Sequence, residues 1–129
     1  MLRYSKQVMK HFLNPKNAGR IKNPDVIGRL ANDRCGDIME IYLKIDKKTE
    51  KIKDIKFQTL GCPAAIAASD VLCNLVKGKT LKQAEKISET DITNKLGGLP
   101  MIKIHCSVLG SRTLKDAIKK YRKKQKYGK

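Results

Sequence analysis

The chain of 129 residues carries 29 Lys and Arg against 12 Asp and Glu, a formal net charge of +17. Four Tyr, two Phe and no Trp leave an aliphatic core for one domain. No apolar run reaches membrane-span length and Met1–Leu13 lacks a signal-peptide core, so the four cysteines are expected to be reduced intracellular thiols, which serve metals or catalysis.

Tyr4, Val8, Met9, Phe12 and Leu13 recur at helical spacing, and Asn14-Pro15 ends that first helix. Val26 to Leu30 is a short strand candidate interrupted by Gly28. Asp37 to Ile45 alternates, with Met39, Ile41, Leu43 and Ile45 on one face and Ile38, Glu40, Tyr42 and Lys44 on the other. Asp46 to Glu50 is turn-like, and Lys51 to Leu60 alternates again, so the pair predicts an antiparallel hairpin with one solvated face. At Gly61 the period switches to that of a helix. Pro63 suits its first position, which puts Cys62 at the N-cap, and Gly78 closes it.

Thr80 caps a short helix through Ile87, and another stretch runs from Asp91 to Leu96. Beyond Gly97-Gly98, a Pro-containing loop leads into His105-Cys106. Gly110-Ser111 predicts an interruption, and Thr113 with Asp116 has the spacing of a capping box ahead of a last helix that buries Leu114, Ala117, Ile118 and Tyr121. Seven of the eleven residues from Lys119 to Lys129 are basic, a solvated tail expected to steer acidic partners and to be dispensable for metal chemistry. There is no repeat, linker or second domain. The charge permits a nucleic-acid module, but the scarcity of aromatics for base stacking does not favour one.

The candidate ligands sit at joints between elements. Cys35-Gly36-Asp37 precedes the clearest strand, Gly61-Cys62-Pro63 joins a strand to a helix, and His105-Cys106 opens another helix. The positive end of a helix dipole predicts that Cys62 and Cys106 are partly ionised near neutral pH. Gly36 and Gly61 would let backbone approach an ion. Adjacent helical positions point about 100° apart, so His105 and Cys106 are better placed to share a ligand than to form a nucleophile–base dyad. Three thiols, a carboxylate and an imidazole suit zinc or an iron–sulfur cluster. Their spacing matches no zinc ribbon or ferredoxin. A cysteine hydrolase or transferase using Cys62 or Cys35 with His105, and a zinc-stabilised nucleic-acid module, stay open as rivals. Cys73 is read as a partly buried apolar residue and His11 as a surface residue of the first helix.

Asp33-Arg34-Cys35-Gly36-Asp37, Phe57-Gln58-Thr59-Leu60-Gly61-Cys62, Lys77-Gly78-Lys79-Thr80-Leu81 and Lys103-Ile104-His105-Cys106-Ser107 resemble, in order, the signatures of IscU/NifU-type iron–sulfur cluster assembly scaffolds. Tyr4-Ser5 and Asn14-Pro15 resemble that family's N-terminal region, so nearly the whole chain is covered. The resemblance implies an α+β fold, a three-stranded antiparallel sheet with helices mainly on one face and the metal site at loops and helix N-termini. It implies one scaffold domain over residues 1–129, its basic tail beginning at about 119.

The function so implied is non-catalytic: assembly of a labile 2Fe–2S cluster from ferrous iron and sulfur, and its transfer to apo acceptor proteins. Carried over by position, the ligands are Cys35, Asp37, Cys62, His105 and Cys106. Cys106 is the persulfide acceptor, Asp37 and His105 are exchangeable, and Lys103 is an electrostatic neighbour. Zn2+ would satisfy the same set. The implied partners are a cysteine desulfurase of the IscS, NifS or SufS kind, acceptor proteins, frataxin-like proteins and ferredoxins. A homo-oligomer and a bacterial or archaeal cytoplasm are compatible with it, and a membrane is not. Two departures stand out. Leu99-Pro100-Met101-Ile102-Lys103 replaces the Leu-Pro-Pro-Val-Lys read by a dedicated Hsp70-type chaperone, which weakens that expectation, and Pro63 stands where the family often has a small residue.

Overall fold

A computed structural model of the protein describes residues 4–31 and 36–127. Strands β1 (Val26–Ala31), β2 (Ile38–Ile45) and β3 (Ile52–Leu60) form one antiparallel sheet in the order β1-β2-β3. The alternation expected of the hairpin is present. Met39, Ile41 and Leu43 lie opposite Thr59, Phe57 and Ile55, and the apolar members are buried. A register shift at Lys44/Ile45 brings Ile52 opposite Ile45, so both side chains enter the core although Ile52 is three residues from Ile55. Removing side chains of this size from water stabilises by roughly 1.5–3 kcal/mol each.

Helices cover the inner face. Helix α2 (Pro63–Val76) lies against β3, and α5 (His105–Tyr127) crosses β1 and β2. Helix α1 (Lys6–Leu13) packs on α2, while α3 (Leu81–Glu85) and α4 (Glu89–Lys95) pack against α2 and α5. Gly28 makes the crossing possible. A Cβ there would lie 2.6 Å from the Thr113 carbonyl oxygen and 2.7 Å from Ala117 Cβ, so no larger residue fits between β1 and α5. The outer face is polar where it meets solvent. Arg29 pairs with Glu40 at 3.3 Å, the Tyr42 hydroxyl donates to Glu40 at 2.9 Å, and Arg20 donates to Gln58 at 2.9 Å.

Both sheet edges are blunted. The Asn17 carbonyl accepts from the Phe57 amide and the Gly19 amide donates to the Phe57 carbonyl, which covers part of β3. On the other side the Arg29 amide of β1 donates to the Asp116 carboxylate of α5 at 3.1 Å. Unpaired strand groups are thereby spent inside the molecule.

Several local expectations are corrected. Helix α3 ends at Glu85 rather than Ile87, and α4 starts at Glu89 behind a Ser88 capping box. Gly110-Ser111 does not interrupt α5: Gly110 sits inside the helix, facing Leu72 of α2, where a Cβ would make an ordinary contact at 3.5 Å. Thr113 is no cap. Its hydroxyl donates back to the Leu109 carbonyl at 2.7 Å, and Asp116, its supposed partner, serves β1 and Lys120. The basic segment from 119 continues α5 through Tyr127, held by buried Tyr121 and by ion pairing of Arg122 with Glu85.

His11 is not a surface residue. Its Nδ1 lies 2.6 Å from Asp70 Oδ2, and Asp70 is only 1% exposed. Asp70 Oδ1 accepts from the Asn17 amide and from Asn17 Nδ2, both at 2.9 Å. Every polar atom of this buried carboxylate is engaged, as burial of a charge demands. Cys73, expected to be partly buried, is wholly buried in the core.

Candidate metal centre

Three elements converge at one end of the sheet. Asp37 stands just before β2, Cys62 at the start of α2, and His105-Cys106 at the start of α5. Cys35 lies outside the described residues. Asp37, His105 and Cys106 each offer a ligand atom, and these atoms lie within 4.8 Å of one another. Cys62 Sγ is 3.8 Å from Cys106 Sγ. Four of the five residues expected from the sequence therefore come together.

Local sequence explains the convergence. Pro63 supplies the first residue of α2 and needs no amide partner, so Cys62 takes the N-cap with its sulfur making no cap hydrogen bond. That leaves the sulfur free for a ligand. At the turn from β3 to α2, a Cβ on Gly61 would sit 3.0 Å from Asp37 Cγ and 2.9 Å from Ala65 Cβ. The glycine is needed to admit the Asp37 carboxylate, not simply to let backbone approach an ion. Asp37 itself is 7% exposed. Pro100 and a single 3-10 turn, Met101–Lys103, then lead into α5, with Met101 and Ile102 facing solvent.

The electrostatics differ from the helix-dipole expectation at one thiol. Cys106 is completely buried, and its pKa is pushed up, first by burial and then by the neighbouring Cys62 sulfur. Desolvation of the thiolate outweighs the partial charge of the helix end. In the metal-free protein Cys106 is therefore a protonated thiol, and a bound cation would have to displace its proton. The Lys103 ammonium is raised, chiefly by the Cys62 sulfur, which identifies it as a positive neighbour of the site. Tyr4 is raised by burial and, next, by Cys62. This phenol beside the thiols had no chemical signal in the sequence, since its link to the site crosses the whole chain.

His105 Nε2 approaches Cys106 Sγ to 3.6 Å, so the imidazole spans the angle between adjacent helix positions more closely than their 100° offset suggests. The contact does not make Cys106 an activated nucleophile, which needs exposure and a lowered pKa. Two sulfurs, one carboxylate and one imidazole do fit a cation of mixed preference. The donors are soft on one side and hard on the other, and they sit on different elements around a common point.

A family model described as NifU-like N terminal domain matches residues 3–127. Iron-sulfur cluster assembly scaffold protein IscU 1 of Archaeoglobus fulgidus is 47% identical over 121 residues, 94% of this chain and 78% of that protein. The scaffold protein IscU of Aquifex aeolicus is 43% identical over 122 residues, 95% of this chain and 78% of that one. Among solved structures, a candidate iron–sulfur cluster assembly scaffold of the SUF system from Fervidobacterium islandicum AW-1 superposes with a TM-score of 0.73. It is 26% identical and covers 89% of this chain and 96% of its own.

Proposed function

The chain belongs to the NifU-like N-terminal domain family, and from that premise we propose that it is an iron–sulfur cluster assembly scaffold, a carrier rather than an enzyme. One observation carries the reading: the ligand atoms of Asp37, His105 and Cys106 gather within 4.8 Å, with Cys62 Sγ 3.8 Å from Cys106 Sγ. Cys35 completes the set in this proposal. The cargo is a 2Fe–2S cluster built from ferrous iron and sulfur, and residues 1–129 act as one domain around it.

Roles follow from the donors. Cys62 and Cys106 supply soft sulfur for the finished cluster, while Asp37 supplies a hard oxygen that suits incoming ferrous iron. A site with one poorly matched ligand binds its cargo without keeping it. Lys103 offsets the negative charge that builds up as thiolates and sulfide collect. A cysteine desulfurase supplies the sulfur as its own persulfide: Cys106, on giving up its proton, bonds to the outer sulfur, the donor's S–S bond breaks and the donor cysteine leaves as its thiol. Because the Cys106 thiol is buried, delivery requires the structure around it to open. Acceptor proteins take the cluster, with frataxin-like and ferredoxin-like proteins as further partners of this reading. Among the described residues no helix is long and apolar enough to cross a membrane, and Cys62, Cys73 and Cys106 are free thiols.

Anaerobic reconstitution with ferrous iron and sulfide tests the proposal. A visible charge-transfer band is expected in the wild type, and its absence would refute the scaffold reading. Asp37→Ala should keep the band longer in the presence of a chelator and pass the cluster on more slowly. Equal or faster decay would remove Asp37 from the role of labile ligand.

A further inference from the structure

Helix α5 has a second face that the metal chemistry does not use. Cys106, Leu109, Leu114, Ala117, Ile118 and Tyr121 point into the core. On the opposite side Ile104, Val108, Arg112, Lys115, Lys119 and Lys123 follow one another at steps of three or four residues. That spacing aligns them along one stripe. The stripe has two parts. Ile104 is 38% exposed and Val108 half-buried, so the end next to the metal centre is apolar. The four residues beyond are all exposed cations, spread over about 16 Å of helix.

Among the described residues none of these four takes part in an ion pair. Asp116 of α5 accepts from the Arg29 amide and pairs with Lys120 at 3.0 Å, and Glu85 of α3 pairs with Arg122. Arg122 falls in line with the stripe, and Asp116 stands at its edge, where its ion pair is with Lys120 and not with a stripe cation. The neighbouring helix α3 adds exposed Lys82, with exposed Lys86 just beyond its end, and its one acid, Glu85, is the one paired with Arg122. A row of like charges at helical spacing repels itself and destabilises the helix that carries it. The row is offset only when something negative lies along it.

We propose that this stripe is the docking surface for an acidic protein partner, whose carboxylates align with Arg112, Lys115, Lys119 and Lys123 and whose apolar end meets Ile104 and Val108. A protein fits better than nucleic acid. The stripe is a convex helix face without an aromatic, and its apolar end would be wasted on a phosphodiester backbone, which wants cations throughout. An acidic helix matches it directly, since its own side chains repeat every three or four residues. The apolar end lies at the start of α5, so a docked partner reaches the residues that precede His105 and Cys106. Calling the partner a sulfur donor or cluster acceptor rests on the function proposed above. The docking itself needs no iron.

The test uses the full chain and a labelled helical peptide bearing glutamates at i, i+3, i+7 and i+11 behind two leucines, with binding followed by fluorescence anisotropy at low and physiological salt. The quadruple reversal Arg112→Glu, Lys115→Glu, Lys119→Glu, Lys123→Glu should weaken binding about tenfold or more. A control with the same change in net charge, Lys47→Glu, Lys48→Glu, Lys51→Glu, Lys53→Glu on the hairpin end, should bind within about twofold of wild type. Circular dichroism checks folding, and the four Gln substitutions replace the reversals if those fail to fold. Equal loss in both variants would mean bulk charge alone and overturn the proposal. So would no loss in either, or tighter binding of a labelled RNA duplex than of the peptide. Normal peptide docking with failed reconstitution strikes the scaffold reading alone, and normal reconstitution with stripe-independent docking strikes this surface alone.

Discussion

Helices α2 and α5 each begin at a cysteine and aim it at the same place, yet they are built in opposite ways. Helix α2 is sealed: ten of its fourteen residues are buried, so it has no face to offer a partner, and its thiol is the half-buried Cys62. Helix α5 keeps a long outer stripe in water, and its thiol, Cys106, has no exposed surface. The accessible sulfur therefore stands on the helix that cannot move without opening the core. The inaccessible sulfur stands on the helix that other molecules can touch. Anchoring and access are divided between the two supports of one site.

Removing the anchor of α2 should have the largest effect. Asp70→Ala deletes the acceptor of His11, of the Asn17 amide and of Asn17 Nδ2, all in a buried setting. A cost of about 3 kcal/mol is expected, with thermal melting lowered by roughly 10 °C. If α2 is anchored by its apolar packing alone, melting will barely change. Cys73→Ser attacks the same helix more gently. It buries a hydroxyl in the core at a cost of about 1–3 kcal/mol and should leave reconstitution intact. Loss of the cluster in this variant would add Cys73 to the ligand set.

The sealed Cys73 also gives α2 a pH dependence. Burial pushes its thiol pKa up, so the folded chain keeps the proton that the unfolded chain releases. Its contribution to stability is present below the ordinary thiol pKa of about 8.5 and declines as pH rises through the alkaline range. The fall in melting temperature between neutral and alkaline pH should be smaller in Cys73→Ala than in the wild type.

Gly61→Ala should be milder still for stability, about 1–2 kcal/mol, because the new Cβ meets Asp37 and Ala65 at 3.0 and 2.9 Å. Its consequence for the site is sharper: the carboxylate has to shift, and the lifetime of the visible band should change while the secondary structure does not. Smallest of all is a difference in labelling, with no change to the protein. In the metal-free chain iodoacetamide should modify Cys62 well before Cys106, as read by mass spectrometry of the separate peptides. The reverse order would show that α5, not α2, carries the open thiol.

The hairpin and the entry to α2 were legible because their signals are local. Alternation over Asp37–Ile45 and Lys51–Leu60 and the Cys62-Pro63 junction contain their own explanation. The misread positions all depend on residues far along the chain. Gly110 and Thr113 have the chemistry of a helix break and a cap, but packing against α2 and β1 keeps α5 continuous. Asp116 has a local role in the sequence and a distant one in the fold, at Arg29. His11 looks exposed until Asp70, fifty-nine residues away, is placed beside it. At the candidate site, the proposed donors were visible as thiols, carboxylate and imidazole at element joints. The ionisation of Cys106 was not, since a helix start can be read from sequence and desolvation cannot.

The fit of Gly28 against Ala117 bears on how the protein is made. A ribosome delivers β1 early and the helix that covers it much later, and the contacts of Arg29 with Asp116 and of Asp25 with Lys124 span a similar stretch. Pairings of such high sequence separation form slowly and reward the chain only once both ends are present. During translation the hairpin must wait with its apolar inner face uncovered, which makes it a substrate for chaperones. Asp37 and Cys62 emerge in that interval without His105 and Cys106. A nascent chain therefore holds only part of the candidate donor set, and stray iron or zinc meets the gathered donors only after α5 has left the tunnel and docked.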